Sequence, residues 1–184
     1  QKWIKNGLLR EMSRVVSGEK ERIKVSLLED YDYNKAVSIL KNLKESYGVA
    51  GVKAEFEAEG TRLDELLRLI EIVRKLNLKL GIKIGGCEAM KDLMECKQFG
   101  TDYIIAPMVE TDYALRKFIQ IVSKNNRQDL YVNLESIQAF NNIKKIMNSK
   151  SFRKLKGVVI GRSDLAGSIN LEKSAVDSKR IYKL

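Results

Sequence analysis

Two acidic residues that follow apolar segments are the first candidates for chemistry in this chain. Glu135 follows the segment Leu130–Leu134. Asp164 follows the run Val158–Ile160, within the turn-like sequence Gly-Arg-Ser-Asp. We interpret both apolar segments as buried strands, and α/β folds place their chemistry at the carboxyl ends of strands. The two carboxylates therefore predict a divalent metal site, for which Mg²⁺ or Mn²⁺ is the suitable ion.

Carboxylates follow the other predicted strands as well. They are Glu29 and Asp30, then Glu55, Glu57 and Glu59, then Glu88, and then Glu110. An alternative explanation is that acidic residues are favoured at helix N-termini by the helix dipole. We prefer this explanation for Glu88 and Glu110, whereas Glu135 and Asp164 are better explained as metal ligands because each ends an apolar strand.

Lys53 and Lys83 are unusual because both interrupt apolar strands. Each is either paired with a carboxylate in the interior or used to hold an anionic group of a substrate. Lys83 is closer to the carboxyl end of its strand and is the candidate for holding a substrate carboxylate. A Schiff-base role would require a depressed lysine pKa and is the alternative. Cys87 is predicted to be a packed thiol rather than a nucleophile.

The composition excludes several kinds of chemistry. The chain has 184 residues, no histidine and two cysteines. Zinc sites of Cys and His, Ser-His-Asp triads and Cys-His pairs are therefore excluded. The net charge of +10 comes from scattered lysines and arginines, which we interpret as solvated helix faces. The alternatives are attraction of a small anion and nucleic-acid binding.

The sequence carries no membrane or export signal. No apolar run approaches the roughly 20 residues that span a bilayer, and the first residues lack a signal-peptide pattern. We therefore expect a cytoplasmic protein with neither a membrane nor a nucleic acid as partner.

Strand-like and helix-like segments alternate, which predicts an α/β fold with a parallel sheet. The predicted strands are Ile23–Leu28, Val49–Glu57, Leu78–Ile84, Tyr103–Val109 (ended by Pro107), Leu130–Leu134 and Gly157–Ile160. Predicted helices separate them, and Thr61 and Thr111 are expected as N-caps. A short helix over about Trp3–Val16 is predicted to precede the first strand.

Six repeated βα units favour a (β/α)₈ TIM barrel that is truncated after about six units. No G-x-G-x-x-G sequence follows the first strand, which disfavours an open dinucleotide-binding sheet. We expect a single barrel domain over residues 1–184 that is incomplete at its C-terminus, because residues 179–184 resemble the start of a helix.

Three motifs resemble the HpcH/HpaI aldolase and citrate lyase β-chain family, metal-dependent carbon–carbon lyases of the phosphoenolpyruvate/pyruvate barrel superfamily. The motifs are Ala106–Thr111, Val132–Ile143 and Ile160–Ser168. The resemblance implies that Glu135 and Asp164 are the Mg²⁺ or Mn²⁺ ligands. It also implies that Asn133 lies near a bound 2-oxo acid, and that the Ser163–Asp164 backbone receives the substrate carboxylate.

The chain departs from the family pattern at other positions. Lys83 lies near the position of a substrate-binding arginine, and a lysine cannot bind a carboxylate in the bidentate manner of arginine. The family pattern Asp-x-Glu-His corresponds to Glu55, Phe56, Glu57 and Ala58, so the general-base histidine is Ala58 here. The aspartate that assists this histidine in the family corresponds to Gln98.

Together, these features predict a metal-dependent carbon–carbon lyase that acts through an enolate on a 2-oxo acid, an acyl compound or a related small acid. The candidate catalytic residues are Glu57 and Lys83, and a metal-bound water is the alternative to Glu57 for proton transfer. The family resemblance implies a homo-oligomer. A second hypothesis, which the missing histidine favours, is a non-catalytic barrel that binds a small anionic ligand or a protein partner.

Overall fold

The computed structural model describes residues 2–5, 12–16, 19–23, 33–122 and 126–183. The chain forms two compact units. The first unit consists of Gln1–Lys83 and Phe99–Asp102, and the second of Ile84–Gln98 and Tyr103–Leu184. Strands alternate with helices in both units, and this confirms the predicted α/β class. The parallel pairing is consistent with part of a (β/α)₈ barrel, while the number of βα units stays a prediction.

The first unit contains five strands within its described residues, and three of them form a parallel sheet. The strands are β1 (Lys2–Lys5), β2 (Met12–Val16), β3 (Glu19–Ile23), β4 (Val49–Glu55) and β5 (Lys79–Lys83). Strand β4 lies between β1 and β5 and is parallel to both, whereas β2 and β3 pair antiparallel as a separate ribbon. Nearly every residue of β4 is buried, as expected for a parallel strand that is covered on both faces.

The N-terminal segment corrects one prediction. A helix over about Trp3–Val16 is wrong, because Lys2–Lys5 forms β1 and Met12–Val16 forms β2. The backbone of β1 pairs with β4, and such strand pairing overrides a helix-like local pattern. The predicted strand Ile23–Leu28 lies outside the described residues except for Ile23, which ends β3.

Helix α1 occupies Tyr33–Tyr47, as the sequence predicts. Its buried residues Ala36 and Leu40 are four positions apart and therefore lie on one face of the helix. Gly48 ends the helix with a φ of 64°, and its N–H donates to the carbonyl of Lys44 over 3.1 Å. This left-handed conformation is the usual glycine stop of a helix.

Helix α2 occupies Leu63–Lys75, and its start corrects the predicted cap. The N-cap is Arg62 rather than Thr61, and the Glu65 carboxylate accepts a hydrogen bond from the Arg62 N–H over 3.0 Å. The apolar residues on its buried face are Leu66, Leu69, Ile70, Ile72 and Val73, while Leu63 and Leu67 are exposed.

The second unit contains three parallel strands in the order β6-β7-β8. Its elements are α3 (Met90–Phe99, whose last residue belongs to the first unit), β6 (Tyr103–Ala106), α4 (Asp112–Ile121), β7 (Asp129–Leu134), α5 (Ile137–Asn141), α6 (Ile143–Asn148), β8 (Gly157–Ile160), α7 (Arg162–Ser168) and α8 (Lys179–Tyr182). Two short 3₁₀ turns, Phe152–Lys154 and Lys173–Asp177, complete it. None of the described helices combines the length and apolarity that crossing a membrane requires.

Several local predictions are confirmed in the second unit. Pro107 directly follows the last residue of β6. The Thr111 hydroxyl accepts a hydrogen bond from the Ala114 N–H over 3.0 Å and caps α4. The helix predicted after β7 is divided at Asn142, which ends α5 and begins α6.

Strand β8 is less buried than its apolar sequence predicts. The exposed fractions of Val159 and Ile160 are 38% and 50%. Within the described residues β8 is an edge strand that pairs with β7, so one side of it has no described strand beside it. The interpretation of Val158–Ile160 as a buried strand is therefore wrong, although its bounds are correct.

Helix α4 supplies a stability test for the second unit. Phe118 is fully buried, and we expect Phe118→Ala to lower the free energy of unfolding by about 3–5 kcal/mol, because a large cavity would remain. Tyr113 lies on the exposed side of the same helix. Tyr113→Ala should change the free energy of unfolding by at most about 0.5 kcal/mol. Denaturant titration of both variants measures the difference, and equal losses would contradict the packing described.

Candidate active site

Glu135 is a buried carboxylate at the carboxyl end of β7. Its exposed fraction is 2%. The Met108 N–H donates to Oε1 over 3.0 Å, and the Asn133 side-chain amide donates to Oε2 over 2.8 Å. Both carboxylate oxygens thus have a hydrogen-bond donor, which offsets the cost of burying the group.

Gly161 lies directly against this carboxylate. In the β7–β8 pairing Leu134 is opposite Ile160, so the residues that follow these two strands are neighbours. A β-carbon on Gly161 would be only 2.5 Å from both Cβ and Oε2 of Glu135. The position therefore requires glycine if Glu135 is to keep its orientation.

Met108 directs its N–H at Glu135 from an uncommon backbone conformation. Its φ is 49°, in the left-handed region that residues other than glycine seldom adopt. Such conformations are costly and persist where the surrounding structure fixes them, often at functional sites. The side chain of Met108 is exposed, so the contribution of this residue to Glu135 comes from its backbone.

Asn133 links β7 to the Glu135 carboxylate and keeps one polar atom without a partner. The two residues are two positions apart and therefore share one face of the strand end. Asn133 is 7% exposed, and its Oδ1 atom is buried without a hydrogen-bond partner. An unpaired buried acceptor of this kind is rare and costly, so Oδ1 is a candidate acceptor for a donor group of a ligand or for water.

Asp164 and Ser163 lie in the first turn of α7, and both are exposed. The predicted turn after β8 is therefore shorter than expected, because the helix begins at Arg162, right after Gly161. Arg162 contacts the carboxylate of Asp177 and donates to the Tyr182 hydroxyl over 3.2 Å. These contacts connect the start of α7 with the C-terminal segment of the unit.

The predicted ligand pair does not amount to a complete metal site by itself. Among the described residues there is no group of three or more acidic or cysteine side chains arranged to hold an ion. The structure thus places Glu135, Asn133 and Gly161 together, with Asp164 three positions after Gly161. The ligand roles of Glu135 and Asp164 stay predictions.

In the first unit, a second buried carboxylate bridges two lysines. The Glu55 carboxylate accepts from Lys53 Nζ through Oε2 and from Lys83 Nζ through Oε1, and both distances are 2.7 Å. Lys53 and Glu55 share one face of β4, and Glu55 is the register partner of Lys83 on β5. All three side chains are largely buried. Of the two alternatives for Lys53 and Lys83, pairing with a carboxylate is observed for both, and the binding of a substrate anion by Lys83 stays a prediction.

The charge of Glu55 depends on these two lysines. Burial acts to raise the pKa of Glu55, but the hydrogen bonds and positive charges of Lys53 and Lys83 outweigh burial and lower it. The carboxylate is therefore ionised at neutral pH, and each lysine ammonium has an anionic partner.

The remaining candidates have less specific surroundings. Glu57 and Ala58 are exposed in the loop after β4. Burial and the nearby Glu88 raise the pKa of the Cys87 thiol, which disfavours a thiolate nucleophile. Glu88 pairs with Lys117 over 2.7 Å. Glu110 accepts a hydrogen bond from Ser136, which caps α5.

Sequence reasoning missed the parts of the site that depend on backbone geometry. Nothing in the sequence indicates that the N–H of Met108 binds Glu135. Gly161 carried a signal, since a glycine directly after a strand often allows close approach. Glu55 carried one as well, because it is two positions from Lys53 and such residues share a strand face.

Gly161 allows a matched test of the Glu135 environment. We expect Gly161→Ala to lower the free energy of unfolding by about 1–3 kcal/mol, because the new β-carbon overlaps the glutamate. Gly167, also in α7, has no neighbour within 4 Å of such a carbon, so Gly167→Ala should be neutral or stabilise by up to about 1 kcal/mol. Thermal and denaturant unfolding measure the stability of both variants. Destabilisation by Gly167→Ala alone would contradict the close contact between Gly161 and Glu135.

The pKa of Glu55 predicts how the stability of the protein depends on pH. A lowered folded-state pKa contributes stability above the unfolded pKa, about 4.3 for glutamate, and that contribution is lost as pH falls through the folded pKa. We expect Glu55→Gln to lower the free energy of unfolding by about 3 kcal/mol at pH 7. This loss should become progressively smaller below about pH 4.3. Urea titrations from pH 7 to pH 3 measure this, with exposed Glu71→Gln as control. A loss that is independent of pH would contradict the ion pairs.

Solved structures resemble this chain in fold. An HpcH/HpaI aldolase from Desulfitobacterium hafniense DCB-2 matches with a TM-score of 0.66 at 12% identity, covering 84% of this chain and 67% of its own. A family protein from Burkholderia cenocepacia J2315 has a TM-score of 0.66 at 10% identity, with coverages of 80% and 68%. The citrate synthase SbnG has a TM-score of 0.64 at 13% identity and covers 79% of this chain. At these identities the likeness concerns the fold alone.

The matched part of this chain spans 64% of the length of SbnG. No curated protein matches the chain by sequence. The model of the HpcH/HpaI aldolase/citrate lyase family, however, matches residues 54–182. This range is most of the chain and includes Glu55 and Glu135. The chain therefore belongs to the HpcH/HpaI aldolase/citrate lyase family.

Proposed function

We propose that this chain is part of a divalent-metal-dependent carbon–carbon lyase that acts on a 2-oxo acid or a related small acid. Membership in the HpcH/HpaI aldolase/citrate lyase family suggests the lyase class. The observation that carries the finer proposal is the surroundings of Glu135. A carboxylate that is buried, held by two N–H donors and packed against a glycine has the fixed position that a metal ligand needs.

The donor set suits Mg²⁺ or Mn²⁺. Glu135 and Asp164 would supply carboxylate oxygens, and these ions commonly use one or two carboxylates and complete their shell with water and substrate. The unpartnered Oδ1 belongs to the same Asn133 amide that donates to Glu135, and it can accept a hydrogen bond from a bound water or a substrate. When bound, such an ion would act as a Lewis acid for negative charge that develops on a substrate oxygen.

The other assigned residues bind the substrate or move protons. Lys83 would hold the carboxylate of the substrate, as a compact point charge rather than a planar fork. The N–H groups of Ser163 and Asp164 lie in the first turn of α7, where backbone donors lack helical partners and can receive an anion. We assign these N–H groups to the substrate carboxylate.

These 184 residues contain no histidine, so a proton-transfer group supplied by this chain must be another residue. Glu57 is the candidate, because it is an exposed carboxylate in the loop that follows β4. In a carbon–carbon cleavage that yields an enolate, a general acid delivers the proton to carbon. Glu57 would transfer this proton between solvent and the substrate carbon. A bound water is the alternative proton donor.

The decisive measurement uses Mn²⁺ and pyruvate. We expect the full chain to bind Mn²⁺, detected by electron paramagnetic resonance, and to exchange the methyl protons of pyruvate for deuterium, detected by NMR. Glu135→Gln and Asp164→Asn should each weaken Mn²⁺ binding by about 10-fold or more, because each removes a charged oxygen ligand. The rate at which the methyl protons of pyruvate exchange for deuterium should fall together with the affinity for Mn²⁺.

Glu172→Gln is the matched control, because Glu172 is an exposed acidic residue of the same unit. This substitution should leave Mn²⁺ binding and pyruvate exchange unchanged. A wild-type chain that neither binds Mn²⁺ nor exchanges pyruvate protons would contradict the proposal. Binding of Mn²⁺ without exchange would leave the ligand assignment in place but contradict the lyase, in favour of a non-catalytic barrel that binds an anion.

A further inference from the structure

Glu55 has a specific spatial relation to Lys83, one of the residues assigned to the substrate. The two side chains extend from neighbouring strands at paired positions and meet over 2.7 Å. The Phe56 N–H donates to the Lys83 carbonyl over 3.2 Å, so the backbones are also joined at this point. The position of the Lys83 ammonium is therefore fixed by backbone pairing and by an ion pair.

Lys53 completes this arrangement from within β4. Its register partner on β5 is Gly81, which has no side chain, so the Lys53 side chain meets no side chain from that partner. It contacts Glu55 Oε2 over 2.7 Å, whereas Lys83 contacts Oε1. Each carboxylate oxygen therefore has its own ammonium group. The carboxylate cannot turn toward one lysine without losing the other.

We infer that Glu55 is the positioning residue for Lys83 and holds it as a fixed ammonium cation. This inference rests on the proposed function, in which Lys83 holds the substrate carboxylate. A lysine that forms a Schiff base must be free to attack a carbonyl, whereas the Nζ atom of Lys83 is held 2.7 Å from the Glu55 carboxylate. The role of Lys83 is then electrostatic, and Lys53 serves to hold Glu55.

The inference identifies a residue that acts through another. Glu55 itself is buried and both of its oxygens are engaged by lysines. Its loss should therefore weaken binding of the substrate carboxylate more than it slows the subsequent chemistry. A residue with a purely structural role would instead lower the amount of folded protein without changing the affinity of the folded fraction.

The first experiment measures lysine reactivity in the full wild-type chain. Brief acetylation followed by peptide mass spectrometry should label Lys53 and Lys83 much more slowly than Lys41, whose side chain is 63% exposed. Glu55→Gln should accelerate labelling of both buried lysines, and Glu71→Gln, an exposed change in the same unit, should not. Wild-type labelling of Lys83 at the rate of Lys41 would overturn the inference.

The second experiment measures the binding and turnover of pyruvate with Mn²⁺ present. Glu55→Gln should raise the Kd and the KM for pyruvate by roughly 10- to 100-fold, the size expected when a group is displaced by about 1 Å, with a smaller change in kcat. Glu55→Asp keeps the charge with a shorter reach and should recover part of the affinity. An unchanged affinity in Glu55→Gln would overturn the inference.

Treatment with pyruvate and borohydride completes the test. A reduced pyruvyl adduct on Lys83 would overturn the inference, because only an uncharged lysine forms the imine that borohydride traps. The absence of this adduct in the wild-type chain supports the inference. A wild-type chain that binds no Mn²⁺ and exchanges no pyruvate protons counts against the proposed function, and the labelling and trapping results then decide the state of Lys83 separately.

Discussion

The burial of carboxylates at strand ends is the constraint on which this structure depends. A charged oxygen removed from water must find donors within the protein. The two units meet this requirement differently. Glu135 uses a backbone N–H and a side-chain amide, whereas Glu55 uses two ammonium groups. The first arrangement is compatible with the metal-ligand role proposed for Glu135, and the second with the anion-binding role proposed for Lys83.

This difference gives the two carboxylates different chemistry although both end a parallel strand. The N–H donors of Met108 and Asn133 hold the Glu135 carboxylate in a fixed orientation, which suits the metal-ligand role proposed for it. The positive charges of Lys53 and Lys83 compensate the negative charge of Glu55 and lower its pKa, so that the carboxylate stays ionised. A carboxylate with these surroundings suits a structural bridge. Family membership adds the lyase class, and the local environments explain which carboxylate fits which task.

The sequence was sufficient for features that depend on local patterns. Helix α1, the cap at Thr111 and the end of β6 at Pro107 follow from periodicity and residue type, and the burial of Glu135 and Asn133 fits their places near the end of β7. Features that depend on pairing between distant segments were not predictable. The N-terminal strand β1 exists because it pairs with β4, and the donor from Met108 requires a left-handed backbone that residue type does not encode.

The contact between Gly161 and Glu135 also constrains how this site can change in evolution. Since a β-carbon at position 161 would overlap both Cβ and Oε2 of the glutamate, a larger residue there is compatible only with glycine at position 135 or with a shifted strand end. The two positions should therefore vary together among relatives of this chain. A relative that carries a side chain at the glycine position should have a compensating change opposite it.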